Sequence, residues 1–169
     1  IRGYSLSRCE QKYWSIVPAA GTGQRFGGDV PKQFQLLNAK PVAQHTLTTL
    51  LSVSVIQKIV VPCDMSFEGW NQVEAIQSSR VQLIEGGSTR AESVLNGLLS
   101  LVDAADPNDW ILVHDMARPC VTKEDITLLI DELKDNFVGG LLVSSINETL
   151  KIVDTSSHVI RTVAREHYR

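Results

Sequence analysis

The sequence holds only three cysteines, Cys9, Cys63 and Cys120, with no Cys-x-x-Cys pair among them. An odd, dispersed set excludes a disulfide framework and points to a reducing compartment, the plain reading being three ordinary thiols. No apolar run approaches the roughly 20 residues that span a bilayer, and nothing reads as a signal peptide. Positive charge is not in excess either: 16 Lys and Arg against 19 Asp and Glu leave a net charge of −3. A global basic field for nucleic acid is therefore missing, and any anionic ligand must be held by local cations. Also absent are internal repeats, low-complexity tracts and the Gly-x-x-x-x-Gly-Lys-Ser/Thr of a P-loop. What remains is a chain of 169 residues, 43% hydrophobic, enough for one domain with a real core.

Strand and helix signals alternate along it. Ile1 to Lys12 reads as a poorly structured leader, and Trp14 to Pro18 as a buried strand. Pro41 suits the first turn of a helix with Val42, Leu47, Leu50 and Leu51 as apolar contacts. Lys58 to Pro62 is the next strand; Ser66 stands as cap of a helix carrying Phe67, Trp70 and Val73, which Gly69 weakens. Val81 to Glu85 is a strand followed by Gly86-Gly87-Ser88, and Thr89-Arg90-Ala91-Glu92 matches a capping box with Leu95, Leu98, Leu99 and Val102 on the face behind it. Trp110 to Val113 is a continuous apolar strand. Thr122 caps a helix bearing Ile126, Leu129, Ile130 and Leu133, and Gly140 to Val143 reads as another strand. Thr149 to Val153 and His158 to Val163 flank turn residues Asp154 to Ser157, the pattern of a hairpin. The alternation predicts an α/β fold, a mostly parallel sheet with helices on both faces. Residues 13–169 form one domain on this reading, with 145–168 as a projecting arm. The chain starts at Ile1 and stops at Arg169 soon after a strand, so one or both ends read as cut.

Ligands in such sheets bind outside the carboxyl ends of the strands, and three polar loops follow predicted strands. The first carries Gly21-x-Gly23, Arg25 and Lys32. Small residues permit close backbone approach to a polyphosphate, main-chain N–H groups form an anion concavity, and the cations add charge-assisted hydrogen bonds. A dinucleotide fingerprint is the weaker reading, because Phe26 stands where a third small residue is required and Pro31 interrupts any helix. The second loop leads into Arg90 and Ser93, where a helix N-terminus offers unpaired N–H groups; Ser93 is either functional or an inert first-turn serine. The third is His114-Asp115-Met116-Ala117-Arg118-Pro119. Asp115 either holds a divalent cation through phosphate oxygens, as magnesium prefers, or caps local backbone. Arg118 neutralises phosphate, pairs with Asp115, or does both. His114 and Cys120 lack the partners of a zinc site, and His114 reads as structural. Thr149, Lys151, Arg161 and Arg165 on the hairpin are either a solvated face or part of a site the ribbon reaches.

In combination these residues resemble the 2-C-methyl-D-erythritol 4-phosphate cytidylyltransferase family of the non-mevalonate isoprenoid pathway. Four motifs carry the resemblance, in order and spacing: Pro18-Ala19-Ala20-Gly21-x-Gly23-x-Arg25; Pro31-Lys32-Gln33; Gly86-Gly87-x-x-Arg90-x-x-Ser93-Val94; and His114-Asp115-x-Ala117-Arg118-Pro119. It implies a doubly wound, Rossmann-like nucleotidyltransferase sheet and transfer of CMP from CTP to the polyol phosphate with release of pyrophosphate. It implies that Arg25 and Lys32 are catalytic, holding the triphosphate and the charge of the transition state. Ala19, Ala20, Gly21, Gly23, Gly87, Ser88 and Ser93 would bind the nucleotide. Asp115 would place Mg2+ and hydroxyls, and Arg118, Thr149 and Arg165 would bind substrate. The last two lie on an arm that in this family reaches into the partner subunit, so a homodimer is implied, as is a cytoplasmic location in a bacterium or a plastid in a eukaryote. Neither nucleic acid nor membrane is an expected partner. The chain departs from the family at Met116, usually alanine, at Ala164, usually aspartate, and at Ser88, aspartate in some members. It ends before the family's last helix and strands, whose lysine on the substrate phosphate has no counterpart here. Ribitol 5-phosphate or another polyol phosphate is the alternative substrate; a non-catalytic CTP-binding or dimerisation fragment is the alternative of another class.

Overall fold

A computed structural model describes residues 11–21, 30–136 and 138–168. The expected leader lies largely outside them. The described residues divide into two compact units, one ending at Thr127 and the other beginning at Leu128.

In the first unit, strand β1 (Tyr13–Ile16) is followed by a single 3-10 turn, Lys32–Phe34, and by the two-residue strands β2 (Leu36–Leu37) and β3 (Lys40–Pro41), which pair antiparallel. Helix α1 (Val42–Ser52), strands β4 (Ile56–Cys63) and β5 (Val81–Glu85), helix α2 (Arg90–Leu99), strand β6 (Trp110–Val113) and helix α3 (Lys123–Leu133) complete the order, α3 continuing into the second unit. The sheet order is β5-β4-β1-β6, every pair parallel. The two central strands, β1 and β4, are the buried ones, while β5 and β6 at the edges are only half-buried. Trp14, Ile16 and Val60 pack with Leu101 on one face, and the residues alternating with them, Ser15, Ile59 and Val61, are fully buried on the other. The parallel α/β architecture expected from the sequence is therefore the observed one. Pro41 precedes α1 as its N-cap rather than entering its first turn.

Two polar side chains bolt this layer together. The Asp109 carboxylate accepts hydrogen bonds from the Lys12 and Asp106 N–H groups and the Trp14 indole, each at 2.9 Å. Burial acts to raise its pKa, but the bonds from Lys12, Trp14 and Asp106 outweigh it and hold the carboxyl below its ordinary value. Arg80, half-buried, closes the far end of α1: Nη1 donates to Leu51 O and Nη2 to Val53 O, both at 2.8 Å, while Nε reaches Ile56 O at 3.1 Å and Nη2 also contacts that oxygen. The last carbonyls of a helix have no intrahelical donor, and one guanidinium supplies several at once.

Three expectations are corrected. The Leu95, Leu98, Leu99 and Val102 stripe of α2 is exposed, Leu99 by 61%, and the helix instead buries Ser93 and Gly97. A Cβ on Gly97 would stand 2.7 Å from Ile16 Cγ2, so the small residue decides which face closes on β1. After Asp64 there is no α-helix but two 3-10 turns, Glu68–Gln72 and Glu74–Gln77. The Ser66 hydroxyl donates to Asp64 rather than capping, and Trp70 packs edge-on against Phe34, which also contacts Phe67. Residues 140–143 do not form a strand, and Leu141 is 84% exposed. An apolar run prefers extension, but becomes a strand only where an edge accepts its hydrogen bonds.

The second unit contains strands β7 (Leu150–Val153) and β8 (Val159–Val163), paired antiparallel as the hairpin pattern predicts, then a 3-10 turn, Arg165–His167. Asp154 fixes the reversal by accepting from the Ser156 and His158 N–H groups at 2.9 Å.

Removing the Arg80 guanidinium with Arg80→Ala should lower unfolding stability by about 2 kcal/mol, because charged donors are lost from partly buried carbonyls. Lysine, a point donor without the fork, should recover only part of it. Denaturant melts of the three proteins check this, and equal midpoints would contradict it.

Candidate active site

Parallel strands deliver their loops to one edge, and here the ladder continues past the strand ends. Val17 N donates to Val60 O and Ala19 N to Pro62 O, both at 2.8 Å; Gly86 N donates to Cys63 O at 2.8 Å, and His114 N to Ile16 O at 3.0 Å. The loops after β1, β5 and β6 thus leave from fixed backbone. Gly86 brings the first two together, since a Cβ there would lie 2.5 Å from Ala20 Cβ. At the same level Cys63 is fully buried, and burial, with Glu85 and Asp64 adding, pushes its thiol up to about 12. It is a packing group rather than a nucleophile.

Gln33 ties the next segment to the first loop. It is buried, and Nε2 donates to Ala19 O at 2.8 Å and to Gly21 O at 3.3 Å. The 3-10 turn that carries Lys32 is thereby held against the loop before residue 22. The residue pattern assigned Gln33 no role; its one signal was an amide next to the lysine of Pro31-Lys32-Gln33.

The start of α2 is more self-contained than the sequence suggests. Thr89 and Glu92 form the expected capping box, Glu92 N donating to Thr89 Oγ1 at 3.1 Å and Thr89 N to Glu92 Oε2 at 3.2 Å. The same Oε2 also accepts from Ser88, from its N–H at 2.7 Å and its hydroxyl at 2.5 Å. Bonds from the Ser88 hydroxyl and N–H, then from Thr89, hold the Glu92 carboxyl below its ordinary pKa. The chain's own side chains thus take the Ser88, Thr89 and Glu92 N–H groups at this helix end. Ser93, buried, accepts from Gly87 N at 3.0 Å and donates to Thr89 O at 3.0 Å, so its hydroxyl shapes the Gly86-Gly87 turn.

Asp115 is the charge centre of the third loop. Oδ1 accepts from Arg90 through Nε and Nη2, both at 2.9 Å, and Oδ2 accepts from Arg118 Nε at 2.9 Å. His114 Nε2 lies 3.0 Å from Arg118 O, an oxygen that can only accept, so the ring is protonated at Nε2 and closes the loop. This agrees with a structural role for His114. Pairing between Asp115 and Arg118 was one sequence alternative; the second guanidinium, from Arg90, was not foreseen.

These parts enclose a cavity of about 420 Å3, within the size range of small-molecule sites. Its walls include Ala19, Ala20, Gly21, Lys32, Gly87, Ser88, Ser93, Asp115 and Arg118, nine of the candidate residues, together with Gln33, Thr89, Arg90 and Met116. Gly23 and Arg25 fall outside the described residues. Thr149 and Arg165 belong to the second unit, where the Arg165 guanidinium donates to Asn147 O. Among the described residues, no three His, Cys, Asp or Glu side chains gather as a metal cage. One carboxylate is enough for magnesium when substrate phosphates and water complete its shell, and Asp115 supplies that carboxylate to the cavity, with Arg90 and Arg118 competing for its oxygens.

A family model described as 2-C-methyl-D-erythritol 4-phosphate cytidylyltransferase matches residues 14–169. The chain belongs to this family. It is 40% identical over 154 residues to the cytidylyltransferase of that name from Pseudomonas fluorescens, covering 90% of this chain and 66% of the relative. To the one from Azoarcus sp. it is 41% identical over 157 residues, covering 92% and 66%. The chain thus spans just under two thirds of the length of these relatives. Among solved structures, a 4-diphosphocytidyl-2C-methyl-D-erythritol synthase superposes with TM-score 0.79 at 30% identity, over 94% of this chain and 71% of that one. The bifunctional IspDF from Campylobacter jejuni superposes with TM-score 0.60 at 30% identity, over 94% and 38%. The family motifs quoted from the sequence all contribute to the cavity just described.

The tightness of the Gly86-Gly87 turn is testable. A Cβ on Gly87 would meet Glu92 Cβ at 2.2 Å and Ser93 N at 2.9 Å, whereas one on Gly21 meets nothing within 4 Å among the described residues. Gly87→Ala should cost about 1–3 kcal/mol through overpacking, and Gly21→Ala should change stability by no more than about 0.5 kcal/mol. Chemical denaturation of both variants measures the contrast; equal losses would disprove it.

Proposed function

We propose that the protein binds CTP with Mg2+ in the cavity and transfers CMP to 2-C-methyl-D-erythritol 4-phosphate, forming 4-diphosphocytidyl-2-C-methyl-D-erythritol and pyrophosphate. The observation that carries this reading is the convergence of the β1, β5 and β6 loops on one cavity lined by Lys32, Arg90 and Arg118, in a chain of the cytidylyltransferase family. A phosphate oxygen of the polyol substrate forms a bond to the α-phosphorus of CTP while the bond to the β-phosphate oxygen breaks, its electron pair leaving with pyrophosphate. A phosphate monoester already carries about −1.5 to −2 charge near neutral pH, so no strong base is required. The barrier is the approach of two anions and the spread of charge, which positioned cations lower.

Lys32 takes that task together with Arg25. Ala19, Ala20, Gly21, Gly23 and Gly87 leave room for the cytosine ring and ribose while backbone groups read the base edge. Ser88 and Ser93 hold the wall in shape. Arg118 meets the substrate phosphate. Asp115 would hold Mg2+, which when bound neutralises phosphate charge and orders the triphosphate. Thr149 and Arg165, on the hairpin unit, act in the site of a second copy, making a homodimer. A cytoplasmic location accords with this reading; no helix among the described residues is long and apolar enough to cross a membrane.

Lys32→Ala should leave thermal stability unchanged and reduce pyrophosphate release from CTP and the methylerythritol phosphate by about 10²–10³-fold. A near-normal rate would remove Lys32 from the mechanism. Faster release with ribitol 5-phosphate would reassign the substrate, and tight CTP binding without turnover would favour a nucleotide-binding fragment. The assembly is checked by sedimentation equilibrium, where a dimer mass is expected and deletion of 145–168 should yield monomer.

A further inference from the structure

Resting on the proposed nucleotide site, we infer that Arg90 is a positioning residue for the divalent cation that accompanies the nucleoside triphosphate. It commits one oxygen of Asp115 and so presents the other. A carboxylate offers about two acceptor directions on each oxygen. Arg90 sets two nitrogens against Oδ1, Nε and Nη2 at 2.9 Å, converging from one side. Among the described residues, Oδ2 meets a single nitrogen, Arg118 Nε at 2.9 Å, and is the less engaged oxygen, the one presented to a hard cation.

The arrangement spans two elements. Arg90 is the first residue of α2 and Asp115 follows β6, so the bond between them fixes how the carboxylate plane lies across the cavity they share. Without Arg90 the carboxylate can rotate about its last torsion, a soft one, and Arg118 can take both oxygens in a bidentate pair, the geometry a guanidinium prefers. That competes directly with a metal ion. The planar fork is what matters: lysine offers a point charge and cannot hold two fixed directions on one oxygen. Partners that orient a metal ligand are typically worth 10–100-fold in metal affinity.

Calorimetric titration of CTP into the full chain, with Mg2+ and with chelator, tests this in wild type, R90M, R90K, D115N and R90M/D115N. Wild type should bind more tightly with Mg2+. R90M and R90K should each lose about tenfold of that Mg2+-dependent gain, read as the ratio of the affinities with Mg2+ and with chelator so that the lost cavity charge cancels. In the D115N background, R90M should change that ratio no further, because a residue that acts through Asp115 has no effect on it once the carboxylate is gone. Equal losses from R90M in both backgrounds would mean that Arg90 touches the ligand itself, and an unaltered Mg2+ gain in R90M and R90K would mean that it does nothing; either overturns the inference. Should one variant fail to fold, as thermal melts would show, the other decides between these outcomes. Wild type that takes up no CTP under either condition defeats the nucleotide reading and the inference together, a result distinct from wild-type binding with an indifferent Arg90.

Discussion

The site depends on one ladder. β1 lies between β4 and β6, and its hydrogen bonds do not stop where the strand does. Val17 and Ala19 still donate to β4 oxygens, and Ile16 still accepts from His114. Loops are normally the mobile part of a fold; these begin as sheet and become loop only after their first residues have been fixed. The fully buried Val17, and Ile16 before it, anchor that edge. A cavity made of three loops can then have defined walls, because each loop leaves the sheet from fixed backbone.

Strands were the most legible part of the chain. A buried parallel strand favours a short apolar run, and the stretch from Ile59 to Val61, read from the sequence within Lys58 to Pro62, and Trp110–Val113 announce themselves that way. The helix faces were harder. Hydrophobic count placed the contact face of α2 on its leucines, but closeness of approach governs packing, and Gly97 against Ile16 permits the shorter distance. Apolar character measures what is gained when a surface is covered, not whether anything covers it. The 140–143 run failed for a similar reason, since extension is local and pairing is not. The turns after Asp64 follow from an aromatic cluster around Phe34, whose partners lie more than thirty positions apart in the sequence.

Within the site, residue types and order were readable, while the way each group is used was not. Glycine, lysine, aspartate and arginine at these spacings mark an anion site because few other tasks need them together. Nothing in the spacing reveals that Glu92 takes the Ser88 and Thr89 donors, or that the Ser93 hydroxyl accepts from Gly87 N. Both are local hydrogen bonds within six residues, yet they depend on the turn geometry they help create. Gln33 illustrates the same limit. Its value lies in two carbonyls twelve and fourteen positions earlier, which only the folded chain brings within reach.

The charge balance shows why such internal spending suits this cavity. The chain as a whole is negative, at −3, and an anion approaching it meets an unfavourable mean field. The described cavity wall reverses that sign, with Lys32, Arg90 and Arg118 against Asp115 alone. Three closely spaced cations would repel one another if nothing lay between them. Asp115 sits between two of them, so the guanidiniums stay near the site with less strain and their bonding directions are set before any ligand arrives. Preorganisation of this kind matters more for phosphate chemistry than total charge, because cations already in place need no rearrangement as charge spreads in the transition state. Glu92, the other nearby carboxylate, is tied to Ser88 and Thr89, and its charge is directed into holding the helix end. Asp115 thus braces the two guanidiniums while Glu92 holds the helix end that carries Arg90, which is how a net-negative chain can present a positive cavity.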